Sequence, residues 1–195
     1  MINAIILAAG ESKRMGKLKP LLRFKEKTFL DRIISVLKLS DVDRITVVLG
    51  AEAETIKKSV DLSGTNIVIN KDYRKGQLSS LIAAIENTPK QTEAILVCLV
   101  DSPFITEEIV NRIVNKFKEV NSPIIVPVFN RQRGHPTLFS RSLFNEILNS
   151  PQQQGARYVL YSNEEKILEL ETSESAILIG IDTPDDYKFH FGTNP

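Results

Sequence analysis

Ten residues, Gly10 to Lys19, gather two glycines, the Ser12 hydroxyl and four basic side chains, Lys13, Arg14, Lys17 and Lys19. They follow directly on an apolar run, Ala4 to Ala9. A buried strand ending in a glycine-containing cationic loop suits a polyphosphate. Glycine lets backbone N–H groups approach phosphate oxygens, and lysine and arginine neutralise their charge. Spacing excludes two better-known phosphate loops. Five residues rather than four separate Gly10 from Gly16, and Leu18 rather than a hydroxyl residue follows Lys17. Gly10 also lacks the glycine two residues on that a dinucleotide-binding turn requires. The structural alternative is a glycine turn carrying solvated lysines.

Further along, Asp101 directly follows the apolar run Ala94–Val100. That position suits a hard cation, since Mg²⁺ takes one or two protein carboxylates and completes its shell with water and substrate phosphates. A turn or capping role before Pro103 is the alternative. Asp182 follows a second apolar run, Ile177–Ile181. There Thr183 suits a helix cap, Pro184 its first turn, and Asp185 and Asp186 its dipole. Capping thus accounts for every polar residue of the turn except Asp182, which becomes the second candidate metal ligand. Gly76, Ser79 and Ser80 open a helix, where hydroxyls and free N–H groups either read a base edge or ribose or simply cap the helix. Gly134-His135-Pro136 lies beside Arg131 and Arg133, so His135 either orients an anion or holds a turn through its ring nitrogens. Nothing in the chain resembles a Ser/His/Asp triad, a zinc cluster or a glycosidase carboxylate pair.

These groups need elements to position them. At 195 residues the chain suits a single domain, 1–195, with a sizeable core. Apolar runs alternate with helical patterns: strands at Asn3–Ala8, Arg44–Leu49, Asn66–Ile69, Ala94–Val100 and Pro123–Val128 are interleaved with helices. Those helices fall at Thr28–Leu39 (Phe29, Ile33, Val36 and Leu37 on one side), at Glu52–Val60, from Gly76, and from Thr106 to about Glu119. After Phe129 the rhythm changes. A polar loop, Asn130–Gly134, leads to a short apolar segment, Thr137–Phe139, then to a helix at Arg141–Leu148, a break at Pro151–Gly155 and a short helix at Ala156–Tyr161. Lys166–Glu171 reads as an edge strand, Ile177–Ile181 as another strand, and Thr183 starts the last helix. The expected architecture is a three-layer, Rossmann-like α/β fold with a mostly parallel, mixed sheet and helices on both faces. Ligands of such sheets lie beyond the carboxyl ends of the strands, at a switch in strand order. The Gly10–Lys19 loop and Asp101 are therefore expected to meet there.

Composition narrows the partners. A net charge of +1 gives no basic field for nucleic acid. Residues 11–27 nevertheless hold seven Lys/Arg against Glu11 and Glu26, a local excess of +5 that fits a small anionic ligand. The single cysteine, Cys98, lies inside an apolar run and reads as a buried hydrophobe, not a disulfide, metal ligand or nucleophile. No signal-peptide pattern and no apolar stretch of membrane-spanning length is present, so a cytoplasmic, non-membrane protein is expected.

Leu7-Ala8-Ala9-Gly10-x-Ser12-x-Arg14-Met15-Gly16-x-x-Lys19-x-Leu21-Leu22 resembles, at every fixed position, the loop signature of MobA-like nucleotidyltransferases. The resemblance implies that Leu7, Ala8, Ala9, Gly10, Glu11 and Ser12 bind nucleotide, with Lys19 near the α-phosphate and Arg14 facing the β- and γ-phosphates. Gly76-Gln77-Leu78-Ser79-Ser80-Leu81 resembles the family's G-x-x-S-S-L segment by the base and ribose, which adds Gly76, Ser79 and Ser80. Asp101 and Asp182, the latter within a stretch similar to the family's D-I-D-T-P-E-D-Y, are implied as Mg²⁺ ligands, with Lys19, Arg14 and Asp101 carrying the reaction. Where many cofactor-synthesising members read Asp-Gln-Pro, this chain has Asp101-Ser102-Pro103. Ala9 and Gly134-His135-Pro136 match the cytidylyltransferase branch, which places Arg133, Gly134 and His135 by the acceptor.

The reaction this implies is Mg²⁺-dependent transfer of CMP from CTP to a phosphorylated acceptor with release of pyrophosphate. Molybdopterin or its molybdenum-loaded form is the implied acceptor, and a transient contact with a molybdoenzyme maturation factor the implied protein partner. The alternatives are transfer to a sugar phosphate or other phosphorylated metabolite, and a nucleotide-binding module without turnover.

Overall fold

A computed structural model describes residues 1–151 and 157–195 of the chain. In chain order its strands are β1 (Ile2–Ala8), β2 (Arg23–Phe24), β3 (Lys27–Thr28), β4 (Arg44–Leu49), β5 (Asn66–Ile69), β6 (Ala94–Leu99), β7 (Ile124–Phe129), β8 (Gln132–Arg133), β9 (Thr137–Ser140) and β10 (Ile167–Glu171). The α-helices are α1 (Phe29–Leu39), α2 (Ala53–Ser59), α3 (Gln77–Glu86), α4 (Glu107–Val120), α5 (Phe144–Leu148), α6 (Arg157–Ser162) and α7 (Pro184–Phe191). Strand–helix alternation through residue 129 follows the sequence pattern closely. The break expected at Pro151–Gly155 and the start of the next helix at Ala156 lie, beyond Pro151, outside the described residues.

The main sheet runs β10-β7-β9-β6-β1-β4-β5, with β8 also paired to β7. β1 pairs in parallel with β4 on one side and β6 on the other, with Ala8 opposite Leu49 and Leu7 opposite Leu99. All three strands therefore end at one edge. The chain leaves β1 for β4 and β5, then returns to β6 on the opposite side, so the switch in strand order falls between β1 and β6. The one inversion on the main path is β9, which lies antiparallel between β6 and β7. The fold is α/β with a mixed, mostly parallel sheet.

Alternate side chains of β1 explain the two helical layers. Ile2, Ala4, Ile6 and Ala8 face a core made with α1, α2 and α4. Ile5 and Leu7 face a second core made with α3, α5 and α6. Helix starts are chemically marked: Thr28 accepts from Asp31 N–H at 3.1 Å in a capping box, and Thr106 accepts from Ile109 N–H at 3.2 Å. Cys98 is buried in the first core, and burial pushes its thiol up to about 12, which leaves it inert as a nucleophile.

Two expectations are corrected. Ile177–Ile181 is not a strand: Ser175–Leu178 forms a 3₁₀ turn. Both edges of β7 are already taken, by β9 and β10, so this segment finds other backbone partners. The Ile177 carbonyl accepts from His135 N–H at 2.9 Å, and Ile181 N–H donates to the Asp101 carbonyl at 2.8 Å. The helix expected over Arg141–Leu148 is split into a 3₁₀ turn, Arg141–Leu143, and α5. The hairpin β2–β3 was not apparent from the pattern, because each strand is two residues long. Among the described residues, no helix is long and apolar enough to cross a membrane.

Candidate active site

The Gly10–Lys19 loop is built from its own backbone bonds and one apolar anchor. Ser12 takes φ +54°, and its carbonyl accepts from the N–H groups of Met15 and Gly16 at 3.1 and 3.0 Å. Gly16 turns at φ +71°, where a side chain would be strained. The Ser12 hydroxyl then accepts from the Lys19 N–H at 3.0 Å, closing the loop. Met15, only 2% exposed, packs into a third apolar cluster with Leu22, Phe29, Ile181 and Tyr187. Burying a methionine in such a cluster contributes roughly 1.5–3 kcal/mol. That cluster ties the loop to the far end of the chain, and Tyr187 strengthens the tie by donating from its hydroxyl to the Arg23 carbonyl at 2.9 Å.

Behind the loop stands Gly50. A β-carbon there would come within 2.7 Å of the Ala9 carbonyl and of the Tyr73 Cβ. Ala51 N–H donates to that same Ala9 carbonyl at 3.0 Å. The close approach requires glycine, although from the sequence Gly50 read only as the end of a strand.

At the centre lies Lys19. Its ammonium is 2.9 Å from Asp101 Oδ2 and 2.5 Å from Asp182 Oδ1, with the lysine side chain only 11% exposed. Arg14 adds a second cation, its guanidinium 3.1 Å from Asp182 Oδ1. Asp182 reaches this point without a strand to carry it. The Ile181–Asp101 backbone bond fixes one side, and the capping box of α7 fixes the other. In that box Asp186 accepts from the N–H groups of Asp182 and Thr183 at 3.0 and 2.8 Å. The Asp182 side chain is left outside the cap, free to face Lys19.

Most of the sequence candidates line one cleft of about 390 Å³ at the carboxyl ends of β1 and β6. Leu7, Ala8, Ala9, Gly10, Ser12, Arg14 and Lys19 from the first loop line it together with Gly76 and Ser80 at the start of α3, and Asp101 and Asp182. Tyr73 and Gln77 also line it, and neither carried a signal in the sequence. Two nucleotide candidates sit differently. Glu11 is turned outward, with its carboxylate 2.9 Å from Lys13 and 3.4 Å from Arg74. Ser79 donates to the Gly76 and Asp72 carbonyls at 2.7 and 3.0 Å, so its hydroxyl holds the start of α3. Asn70 completes that buried network, donating to Ser79 and Ser80 at 2.9 and 3.0 Å.

The donor set fits a hard divalent ion. Two carboxylate oxygens from separate segments already converge on a single cation, the Lys19 ammonium. Among the described residues no group of three or more His, Cys, Asp or Glu is placed to hold a metal, at this site or any other, and Mg²⁺ or Mn²⁺ beside a polyphosphate needs no more than one or two carboxylates. Asp101 and Asp182 are the residues that would hold it.

A second cavity, of about 480 Å³, adjoins the first and shares Leu7 and Gln77 with it. Arg133, Gly134 and His135 line this one. Gly134 is obligatory here, since a β-carbon would come within 2.5 Å of the Ile177 carbonyl oxygen. His135 is largely buried, and its Nδ1 has no partner among the described residues. Burial lowers its pKa from 6.5, only partly opposed by the nearby Asp101 carboxylate, so the ring is neutral near pH 7. The linkage follows from that direction. The unfolded chain takes up a proton as pH falls through about 6.5 while the folded chain takes it up only at lower pH, so stability present above pH 6.5 is lost on acidification. His135→Gln is expected to flatten that loss of stability below pH 6.5. Urea midpoints measured between pH 7 and 5.5 check it, and parallel slopes in both proteins would refute the assignment.

The cleft lies at the switch point of a mostly parallel sheet and combines the cations Lys19 and Arg14 with the carboxylates Asp101 and Asp182, groups that suit a polyphosphate and a divalent ion. The chain belongs to the MobA-like NTP transferase domain family, whose pattern matches residues 4–167. It is 33% identical over 187 residues to the molybdenum cofactor cytidylyltransferase of Escherichia coli K12, covering 95% of this chain and 93% of that one. It is also 27% identical over 153 residues to the nicotine blue oxidoreductase of Paenarthrobacter nicotinovorans, covering 73% and 72%. Among solved structures, Rv0371c of Mycobacterium tuberculosis H37Rv superposes with a TM-score of 0.89 at 27% identity over 98% of this chain and 97% of that one. Its complex with manganese gives 0.84 at 25% identity, covering 98% of each chain.

Proposed function

We propose that this chain, acting as one domain over residues 1–195 in the cytoplasm, transfers CMP from CTP to the phosphate of molybdopterin or its molybdenum-loaded form, with Mg²⁺ as the metal. The observation that carries the proposal is the placement of Lys19 between Asp101 and Asp182 at the mouth of the phosphate loop. The relation to a cytidylyltransferase along nearly the whole chain supports the choice of nucleotide and acceptor.

The triphosphate lies along Gly10–Lys19, where loop N–H groups and Arg14 contact the β- and γ-phosphates and Gly76, Gln77 and Ser80 flank the nucleoside. An acceptor phosphate oxygen attacks the α-phosphorus in line. The new P–O bond forms as the bond from the α-phosphorus to the bridging oxygen breaks, and pyrophosphate departs with that electron pair. A phosphomonoester has its second pKa near about 6, so it attacks as the dianion and needs no general base. His135, neutral and without a proton-transfer partner, is therefore an orienting group. Lys19 moves from the two carboxylates to an α-phosphate oxygen, and its charge is worth most as negative charge accumulates there. Asp101 and Asp182 would hold Mg²⁺, which would supply neutralisation of the polyphosphate's negative charge. Catalysis is thus alignment and charge stabilisation, without a covalent enzyme intermediate. A transient contact with a molybdoenzyme maturation factor would take the product away.

A pyrophosphate-release screen tests this, crossing CTP, GTP, ATP and UTP with molybdopterin and a set of sugar phosphates. Release is expected with CTP and molybdopterin. Preference for GTP or ATP would remove the cytidylyl assignment and keep the reaction class; preference for a sugar phosphate would replace the acceptor. CTP binding with no release from any pair would leave a nucleotide-binding module.

A further inference from the structure

The second cavity contains two arginines, and they are not equivalent. Arg133 is spent: its Nε donates to Glu169 at 2.7 Å, and its two terminal nitrogens donate to Glu164 at 2.9 and 2.6 Å. A guanidinium held by two carboxylates belongs to a group of net negative charge and offers a dianion no net attraction. Those carboxylates instead make Arg133 a strut between β8 and the segment running into β10, and they raise its pKa. Arg157, the first residue of α6, lines the same cavity from the opposite side of the sequence. It is exposed, and among the described residues no carboxylate pairs with it. Arg157 and His135 line the same cavity, and the arginine's charge disfavours protonation of the imidazole. The same cavity is lined by the apolar side chains of Val97, Leu99 and Phe139.

We propose that Arg157, and not Arg133, holds the acceptor's phosphate, while the acceptor's apolar body lies against Val97, Leu99 and Phe139. This rests on the transferase reading only for the statement that the acceptor carries a phosphate. Arginine's planar fork gives a phosphate two parallel charge-assisted hydrogen bonds, which a lysine at the same place cannot. Arg157 is therefore a binding residue for the second substrate, and the neutral His135 beside it adds hydrogen bonding without competing charge.

The test uses phenyl phosphate, an aromatic ring with a phosphomonoester, as probe. The full-length protein is first saturated with α,β-methylene-CTP and Mg²⁺, so that the phosphate loop is filled, and probe binding is followed by ligand-observed NMR. Wild-type protein is expected to bind the probe. Arg157→Gln is expected to weaken binding by about tenfold or more, as loss of a charge-assisted pair predicts, with Arg157→Lys between the two. Arg133→Gln is expected to bind within about twofold of wild type while melting at a slightly lower temperature, since it leaves the half-exposed Glu164 and Glu169 without their partner. In turnover, Arg157→Gln raises the acceptor KM and leaves the CTP KM unchanged. Equal binding by wild type and Arg157→Gln, or no binding by wild type, overturns the proposal. Arg157-dependent probe binding without pyrophosphate release from any substrate pair would sink the transferase reading and sustain the assignment of Arg157. Release with an unaltered acceptor KM in Arg157→Gln would do the reverse.

Discussion

Lys19→Met is expected to lower kcat for pyrophosphate release by about 10³-fold while raising the affinity of the nucleotide-free protein for Mn²⁺. The two effects share one cause. The Lys19 ammonium lies 2.9 Å from Asp101 and 2.5 Å from Asp182, where it neutralises two carboxylates that would otherwise repel one another. In the proposed reaction Lys19 stands where transition-state charge develops; removing such a preorganised cation costs about 10²–10³ in rate, and its position between both acidic groups places it at the upper end. The same substitution leaves Asp101 and Asp182 facing each other with Arg14 alone nearby, 3.1 Å from Asp182. Without a cation that arrangement loses about 1–2 kcal/mol of stability, discounted for the partial exposure of both carboxylates, and a divalent ion recovers it. Mn²⁺ titration followed by electron paramagnetic resonance and single-turnover kinetics measure the two arms. A variant with wild-type kcat, or with weakened Mn²⁺ binding, would show that Lys19 plays neither role.

The second large effect is at Asp101. Asp101→Asn is expected to reduce kcat by about 10²–10³ and to flatten the dependence of rate on divalent-ion concentration. Its value as a test lies in what it leaves alone. The main-chain carbonyl of Asp101 still accepts the Ile181 N–H bond of 2.8 Å, and asparagine keeps the side chain's shape. Asp182 therefore stays in position, and CTP binding should change little if the loop contacts dominate it. Circular dichroism and CTP titration beside the kinetic assay separate the outcomes. Near-normal pyrophosphate release in a folded variant would remove Asp101 from the mechanism.

What the sequence revealed depended on the range over which each signal acts. The Gly10–Lys19 loop was legible because its hydroxyl, glycines and cations fall within one turn of chain. Asp101 was legible because a carboxylate ending a wholly apolar strand has few structural uses. Asp182 stood out because helix capping explained its neighbours and not itself. Less accessible was anything set by distant partners. The neutralisation of Arg133 by Glu164 and Glu169 spans more than thirty residues, with separations of 31 and 36, so it was hidden when the family resemblance placed Arg133 by the acceptor, and nothing in the sequence reading pointed to Arg157. Ser79 looked like a nucleotide contact because its hydroxyl stands at a helix start, yet Asp72 and Gly76 claim it. Ile177–Ile181 has the composition of a strand, but the edge it would need is filled by β10. Gly50 gave no hint that the Ala9 carbonyl presses against it.

The bond between Ile181 and Asp101 also sets an order in time. Lys19 and Asp101 are separated by 82 residues, Lys19 and Asp182 by 163. A ribosome adding roughly 5–20 residues per second delivers the first carboxylate several seconds before the second. Through that interval the nascent chain carries a phosphate loop with only one of its two acidic partners, and the aromatic cluster around Tyr187 that anchors Met15 is equally incomplete. A nascent chain stalled between Asp101 and Asp182 therefore has Lys19 beside one carboxylate and a Gly10–Lys19 loop still without the Ile181 and Tyr187 part of its apolar anchor.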